Sequence, residues 1–510
     1  MSLLLAALAL SLAPPARADQ TLPPPDASEL VVPALPVDWA AAADETASLL
    51  SRYIQVDTTN PPGNEERGAD FLATELAKAG IPSEKIQHAD GRASLVARLD
   101  GADLEPPLCL LSHIDVATAE ADKWPADRGP LSGAIVDGVV WGRGALDMKG
   151  LAAVQAMTLV QLARLGVPLR RDVILLAVAD EEVDNVGMME IVRDHWGKIG
   201  CSQVVNEGGL GIKDLLFEGQ TVYGISVAEK GLLWVRMVAT GEAGHGSSPN
   251  PDSAPSRLRR ALAALETYKP KPSMHHSLRQ LFWNVGETQK GIVKFALRNP
   301  TLLYGRLQQQ NAGRALLTDT IHVTGFNGGL APNVVPSEVS ANLDCRLLPG
   351  TSPDAMLARL QALVPDPNIR FEVLQKSDAN ESPIDDPFYR ALARHAVAGR
   401  TDAVAGPALS IGFTDSLLLR PLGVRAYGLA PFEVTVEQAE TQHGHGEHVS
   451  VENLRNGLRI LLGAVVEVAA ADPAAPLANA RPFVRVPTSG PAVGPALDPV
   501  APSLPALPTP

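Results

Sequence analysis

The sequence predicts an α/β protein: a doubly wound mixed sheet interrupted by an inserted α+β domain. Apolar runs rich in leucine and β-branched residues at 107–112 and 172–178 alternate with stretches of helical periodicity, the pattern of buried strands covered by helices. That alternation breaks near Ile225, where GLLWVRMVATG from Gly231 alternates residue by residue, and it resumes at Pro387. The apolar runs also stop abruptly, one at His113 and Asp115, the other at Glu181 and Glu182. A buried strand has no packing reason to end in His-x-Asp or Glu-Glu, because carboxylates are rarely buried without a partner; a cation is the simplest one.

Taken in order, MSLLLAALALSLAPPARADQ carries a short apolar core and then small residues ending in Ala16-Arg17-Ala18. This reads as a secretory signal over 1–18, too short to span a bilayer, although no Lys or Arg precedes the apolar core. It implies export to a periplasmic or extracellular space. Residues 19–40 form a Pro-rich leader. Helical spacing follows at 41–56 and at 68–80, the second closed by a glycine. Strands are expected at 93–99 and 107–112, a helix at 148–165, a strand at 172–178, a helix near 187–195 and a strand at 203–206. In such sheets ligands gather at the carboxyl ends of strands, where His113, Glu181, Glu182 and Glu207 fall.

The catalytic domain therefore spans 41–228 and 380–470, and the insert, 229–379, acts as a lid. Within the insert, strands are expected at 319–324, 339–347 and 368–373 and helices at 254–267 and 353–363. Its stretch 271–317 carries LFWNV, IVKFAL and TLLYGRL; with few basic residues on a clean face, it reads as a helical wall of the substrate cleft rather than a membrane-surface segment. Residues 471–510 are a Pro/Ala-rich tail, expected to be flexible.

The chain has 510 residues, 45% apolar and 20% charged, as expected of a water-soluble protein of two or more domains. A net charge of −14 argues against nucleic acid or an anionic membrane as partner, since either would favour clustered Lys and Arg. The three cysteines, Cys109, Cys201 and Cys345, lie in or beside predicted strands. They read as buried small hydrophobes, with one pair able to bond after export.

Two neighbouring divalent cations need a bridging carboxylate, terminal ligands on each side and a further carboxylate for the shared water. His113 suits one metal, and Asp115, two residues on, suits the role of orienting its imidazole. Asp147, at the mouth of a helix, is the natural bridge. One of Glu181 and Glu182 can face metal and the other water, because adjacent side chains diverge.

With SHIDV, GRGALDMKG, DEE, NEGG, GHGSSP, NVVP, DCRLLPG, GFTDS and HGHGE in this order, the chain from about 45 to 470 resembles the co-catalytic di-zinc peptidase and amidohydrolase family. That family includes carboxypeptidase S, aminoacylase, glutamate carboxypeptidase and succinyl-diaminopimelate desuccinylase. The resemblance implies a metallopeptidase core with a dimerisation-type lid. It further implies that Asp147 bridges two zincs, that His113 and Glu207 complete one site and Glu182 with a late histidine the other, and that Glu181 is the general base. Within HGHGEH the family places the ligand four residues before a glutamate, which with Glu447 selects His443 over His445. His245 matches a histidine that in dimeric relatives reaches the partner subunit's active site. Arg346 matches the arginine that holds the substrate carboxylate, a task suited to a guanidinium fork. Asn333, Gly412 and Thr414 match supporting substrate contacts.

The implied activity is hydrolysis of a peptide or N-acyl amino acid with a free carboxylate. The carboxypeptidase S branch, which includes enzymes of fatty N-acyl amino acids, is the nearest resemblance. Rival readings are a desuccinylase-like enzyme of polar substrates and a catalytically inactive binding protein. A carboxylate-rich site with two histidines accepts Mn²⁺ or Co²⁺ as well as Zn²⁺. His88, His195, His275, His276, His322 and His395 have no ligand-spaced neighbours and read as surface or core residues.

Overall fold

The computed structural model describes residues 23, 32–329, 331–478 and 480. The expected signal over 1–18, most of the leader and the tail beyond 480 lie outside the described residues.

Helix α1 (Trp39–Ile54) starts on Asp38, whose carboxylate accepts from the N–H groups of Ala40 and Ala41, both at 3.1 Å. The first half of the large sheet follows as β1 (Ser83–Ala89), β2 (Arg92–Leu99), β3 (Leu108–His113), β4 (Val173–Val178), β5 (Gln203–Asn206) and β6 (Thr221–Glu229). Helix α2 (Lys149–Leu165) joins β3 to β4 as a crossover, and β3 runs parallel to both β4 and β5. Every residue of β3 and β4 is buried, which explains why their sequences are continuously apolar instead of alternating. Helix α2 is buried from Lys149 to Ala163 and packs against α1 and the sheet. Leu151, Leu159 and Leu162 on it each contribute about 1.5–3 kcal/mol by leaving water.

The insert opens with β7 (Gly231–Thr240) and continues through α3 (Ala254–Leu265), α4 (His276–Glu287), α5 (Gly291–Arg298), β8 (Thr320–Asn327), β9 (Glu338–Leu347), α6 (Pro353–Leu363) and β10 (Ile369–Ser377). Its four strands pair antiparallel in the order β8-β9-β7-β10. Helices α3 and α6 cover one face, and Leu233, Val235, Met237, Leu343 and Met356 form a core separate from that of the large sheet.

The stretch 271–317 does not join this small sheet, although the sequence pattern assigns it to the insert. Helix α4 packs on β6 and on β11 (Ala403–Ser410), burying Leu278, Phe282 and Val285 against Val222 and Val404. Gly406 permits this approach: a Cβ there would stand 2.7 Å from Leu281 Cδ1. The apolar side of β6 and β11 provides the covering surface that periodicity alone does not reveal.

The chain returns through α7 (Pro387–Val397), β11, β12 (Arg425–Gly428) and α8 (Val451–Ala469), and α8 packs on α1, α2 and α7. The large sheet thus runs β1-β2-β4-β3-β5-β12-β6, with β11 parallel to β6 and β12 parallel to β5. Cys109 on β3 and Cys201 before β5 form a disulfide with a Cα–Cα distance of 5.8 Å, whereas Cys345 is free and buried. Parallel neighbours 92 residues apart in sequence are brought together, so only Cys345 is a plain buried hydrophobe. Among the described residues, no helix is long and apolar enough to cross a membrane.

Candidate metal centre and active site

The carboxyl ends of β3, β4 and β5 meet at one cleft. His113 is the last residue of β3, and its Nδ1 lies 2.9 Å from the Asp115 carbonyl oxygen and 3.5 Å from Asp115 Oδ1. A carbonyl can only accept, so Nδ1 carries a hydrogen and Nε2 is the nitrogen that faces the cleft. The backbone of Asp115 therefore does most of the orienting expected of its side chain. Its carboxylate instead accepts from the backbone N–H of Glu181 at 3.1 Å and of Glu182 at 3.0 Å, and from Asn60 Nδ2 at 2.9 Å. Asp180, just after β4, adopts φ 68°, a left-handed conformation that Asp tolerates better than most residues. The chain turns there, and Glu181 and Glu182 both line the cleft.

Asp147 sits between two histidines. Its Oδ1 is 3.1 Å from His113 Nε2, and its Oδ2 is 3.1 Å from His443 Nε2. His443 Nε2 is also 3.1 Å from Glu182 Oε2, while His113 Nε2 is 3.6 Å from Glu207 Oε1. Each imidazole thus faces one oxygen of the shared aspartate and one glutamate of its own. The ligand atoms of His113, Asp147 and Glu182 lie within 4.8 Å of one another, as do those of His113, Glu181 and Glu207. His445 points elsewhere, with Nε2 at 3.4 Å from Glu120 Oε2. Gly428 makes room for the turn at Glu207, since a Cβ there would approach the Glu207 carbonyl oxygen to 2.2 Å.

With all four of its carboxylates ionised, this cluster does not balance its charge without a cation. Four carboxylates (Asp147, Glu181, Glu182 and Glu207) face two imidazoles, leaving negative charge even if both rings are protonated. Burial, followed by repulsion from Glu207, pushes the Glu181 carboxyl well above its ordinary range. Burial and the neighbouring Asp147 do the same to Glu207. Burial would also raise Asp147, but hydrogen bonds from His113 and His443 outweigh it and hold that carboxylate well below the usual range. The bonds to Asp147 and Glu182 raise His443 to about 10. Two imidazoles and several carboxylates are a suitable donor set for divalent zinc, manganese or cobalt, so the residues present fit a pair of such ions.

The cleft has a volume of about 640 Å³, and beyond the charged cluster its walls are apolar: Leu210, Ile212, Leu278, Leu281, Leu316 and Phe413. Gly412 and Thr414 also line it, and the buried Glu229 carboxylate fixes Thr414 by accepting from its N–H at 3.1 Å and its Oγ1 at 2.9 Å. Arg346 does not line the cleft. It pairs with Asp344, with Nε to Oδ1 at 2.8 Å, and stacks over Phe413, its guanidinium carbon 5.3 Å from the ring centre. His245 and Asn333 lie together on the insert, His245 pairing with Val334 across two short strands and Gly246 N–H donating to the Asn333 carbonyl at 2.8 Å. Both are exposed, and neither lines this chain's cleft.

Two acidic residues at the site carry no role in the sequence reading. The fully buried Glu447 accepts from the backbone N–H groups of Gly144 at 3.0 Å, Leu146 at 2.7 Å and Asp147 at 2.9 Å, and from Arg143 Nη1 at 2.8 Å. It is the post around which the Asp147 loop is wound; its position four residues after His443 is the only signal of it in the sequence. Asp415 is buried beside Glu181 and accepts from Asn185 Nδ2 at 3.2 Å, and burial lifts its carboxyl to about 7. Glu447→Ala should cost about 3–5 kcal/mol in a denaturant titration, because Arg143 and three amides lose their acceptor. The same variant should weaken metal binding about 10–100-fold, read by competition with a chelator.

The model of peptidase family M20/M25/M40 matches residues 109–467. Human N-fatty-acyl-amino acid synthase/hydrolase PM20D1 is 29% identical over 364 residues, covering 68% of this chain and 71% of the relative. Mouse aminoacylase-1 is 24% identical over 428 residues, covering 82% and 94%. Among solved structures, the M20 family metallo-carboxypeptidase Sso-CP2 from Sulfolobus solfataricus superposes with a TM-score of 0.64 at 19% identity, covering 83% of this chain and 98% of that one; this likeness bears on the fold alone.

Proposed function

Because the chain belongs to peptidase family M20/M25/M40, whose members are generally metal-dependent hydrolases of amide bonds, we propose that it is a di-zinc amidohydrolase cleaving hydrophobic N-acyl amino acids or peptides with a free carboxylate. The observation that carries this reading is Asp147, whose two oxygens each face a histidine. His113 and Glu207 would hold one ion, His443 and Glu182 the other, and Asp147 both. Bound ions of this kind supply Lewis acidity, lowering the pKa of water and polarising a carbonyl.

The protein's own groups do the rest. Glu181, which ligates neither ion in this assignment, accepts the proton of the attacking water and passes it to the departing amide nitrogen. Burial raises its affinity for a proton, as suits a group that accepts one from water and holds it until the nitrogen departs. The backbone carbonyl of Asp115 keeps the His113 hydrogen on Nδ1, and Asp115's carboxylate holds the backbone from which Glu181 and Glu182 project. Arg346 would receive the substrate carboxylate beside Phe413, and Asn333, Gly412 and Thr414 would support the bound substrate. The exposed His245 lies outside this chain's cleft, which favours a homodimer in which His245 of the partner subunit donates to the carbonyl oxygen as it gains charge. Export to an oxidising periplasmic or extracellular space is supported by the Cys109–Cys201 disulfide.

The apolar walls of the cleft support this substrate class, because they offer little to a succinyl carboxylate but suit an alkyl chain. A panel of N-lauroyl, N-acetyl and N-succinyl derivatives of phenylalanine and leucine tests this, with the lauroyl compounds expected to have the highest kcat/KM. Leu316→Asp should lower kcat/KM for the lauroyl substrates about 10–200-fold and barely alter it for the acetyl ones. Preference for the succinyl compounds would exclude the hydrophobic assignment.

A further inference from the structure

Away from the cleft, two imidazoles and one carboxylate converge on a point where the chain crosses between its two sheets. His275 immediately precedes α4, and His276 is the first residue of that helix. Glu381 lies in the short strand Asn380–Glu381, antiparallel to the end of β6, with Ala228 opposite Glu381. His276 Nε2 lies 2.7 Å from Glu381 Oε2, and His275 Nε2 lies 3.2 Å from the same oxygen. One ligand atom from each of the three residues falls within 4.8 Å of the other two. His275 Nδ1 is 2.7 Å from Ser277 Oγ, which holds the ring with Nε2 turned towards the carboxylate.

We propose that His275, His276 and Glu381 form a further binding site, distinct from the cleft, for a divalent transition-metal ion such as Zn²⁺. Two imidazole nitrogens and a carboxylate oxygen are a common zinc donor set, and a three-residue set leaves a position for water. The His275 side chain is only 10% exposed, whereas His276 and Glu381 are 41% and 48% exposed, so one ring is anchored and the other two ligands meet solvent. The alternative is a plain imidazole–carboxylate pair, which near the surface stabilises little and requires a proton on a ring nitrogen. Among the described residues, a further acidic group, Glu65 with Asp115 and Asp180, carries no such reading because the Arg92 guanidinium pairs with Glu65 and Asp180.

The location gives the site a consequence. Helix α4 carries Leu278 and Leu281 of the apolar wall, and Asn380, beside Glu381, is paired with Glu229, which fixes Thr414 in the cleft. An ion held here would tie the wall of the cleft to the crossing strand. Sequence spacing conceals the site because Glu381 lies 105 residues from His276.

Zinc content after equilibration in buffered Zn²⁺ and gel filtration, with calorimetric titration of the metal-free protein, tests the proposal. Glu381→Gln and His276→Gln should each bind one equivalent fewer than wild type, while kcat on a short N-acyl substrate stays within about twofold because neither residue lines the cleft. Adding Co²⁺ to Asp147→Asn should still give the visible absorption of bound ion, and Glu381→Gln in that background should reduce it by one equivalent. The test reads the difference between variants, so it stands whether or not the cleft holds two ions. Equal stoichiometry in wild type, Glu381→Gln and His276→Gln would overturn the proposal.

Discussion

Asp147→Asn is expected to reduce kcat/KM by about 10⁴-fold or more and to lower the metal content of the cleft. The asparagine preserves the shape of the side chain but presents one oxygen and one amide nitrogen, so it cannot accept from, or share a cation between, both histidines. One oxygen of Asp147 faces His113 and the other His443, and both contacts are 3.1 Å. Loss of oxyanion stabilisation alone costs about 10²–10³, and the activation of water is lost with it. The loop should remain folded, because the Asp147 backbone N–H still donates to Glu447. Circular dichroism and metal analysis on the same sample separate a lost site from a lost fold. Substantial residual activity, with two ions retained in the cleft, would exclude Asp147 as the shared ligand.

Glu181→Gln should behave differently. Amide for carboxylate removes the proton acceptor but leaves the proposed ligands in place, so metal content should remain while kcat falls about 10²–10⁴-fold. KM should move little, because the role proposed for Glu181 is on the water rather than on the substrate's binding groups. Relief from neighbouring negative charge should leave the protein at least as stable, since burial and Glu207 both oppose ionisation of Glu181. Unchanged kcat in this variant would remove Glu181 from its role; loss of metal would make it a ligand.

Much of the architecture was legible because the buried strands end on charged residues. β3 and β4 are continuously apolar and buried, and the change from apolar to His-x-Asp and Asp-Glu-Glu marks where the sheet opens onto the cleft. The alternation of GLLWVRMVATG marked the smaller sheet for the same reason, one face being covered by α3 and α6. What stayed hidden depends on contacts between distant segments. Helical periodicity at 271–317 showed that an apolar face exists, but not that it would settle on β6 and β11 rather than on the sheet of its own insert. Glu447 could not be distinguished from a surface acid by its neighbours alone, because its donors come from the loop at 143–147. Cys109 and Cys201 became partners only when two parallel strands were placed side by side.

In the proposed centre, the cleft holds two cations with Asp147 between them. Crystals of the zinc-loaded protein, with anomalous diffraction recorded on both sides of the zinc absorption edge, test it most directly. Two peaks are expected within the cleft, one beside His113 and Glu207, the other beside His443 and Glu182, with an oxygen of Asp147 next to each. A single peak in the cleft, or two peaks that Asp147 does not join, would contradict it.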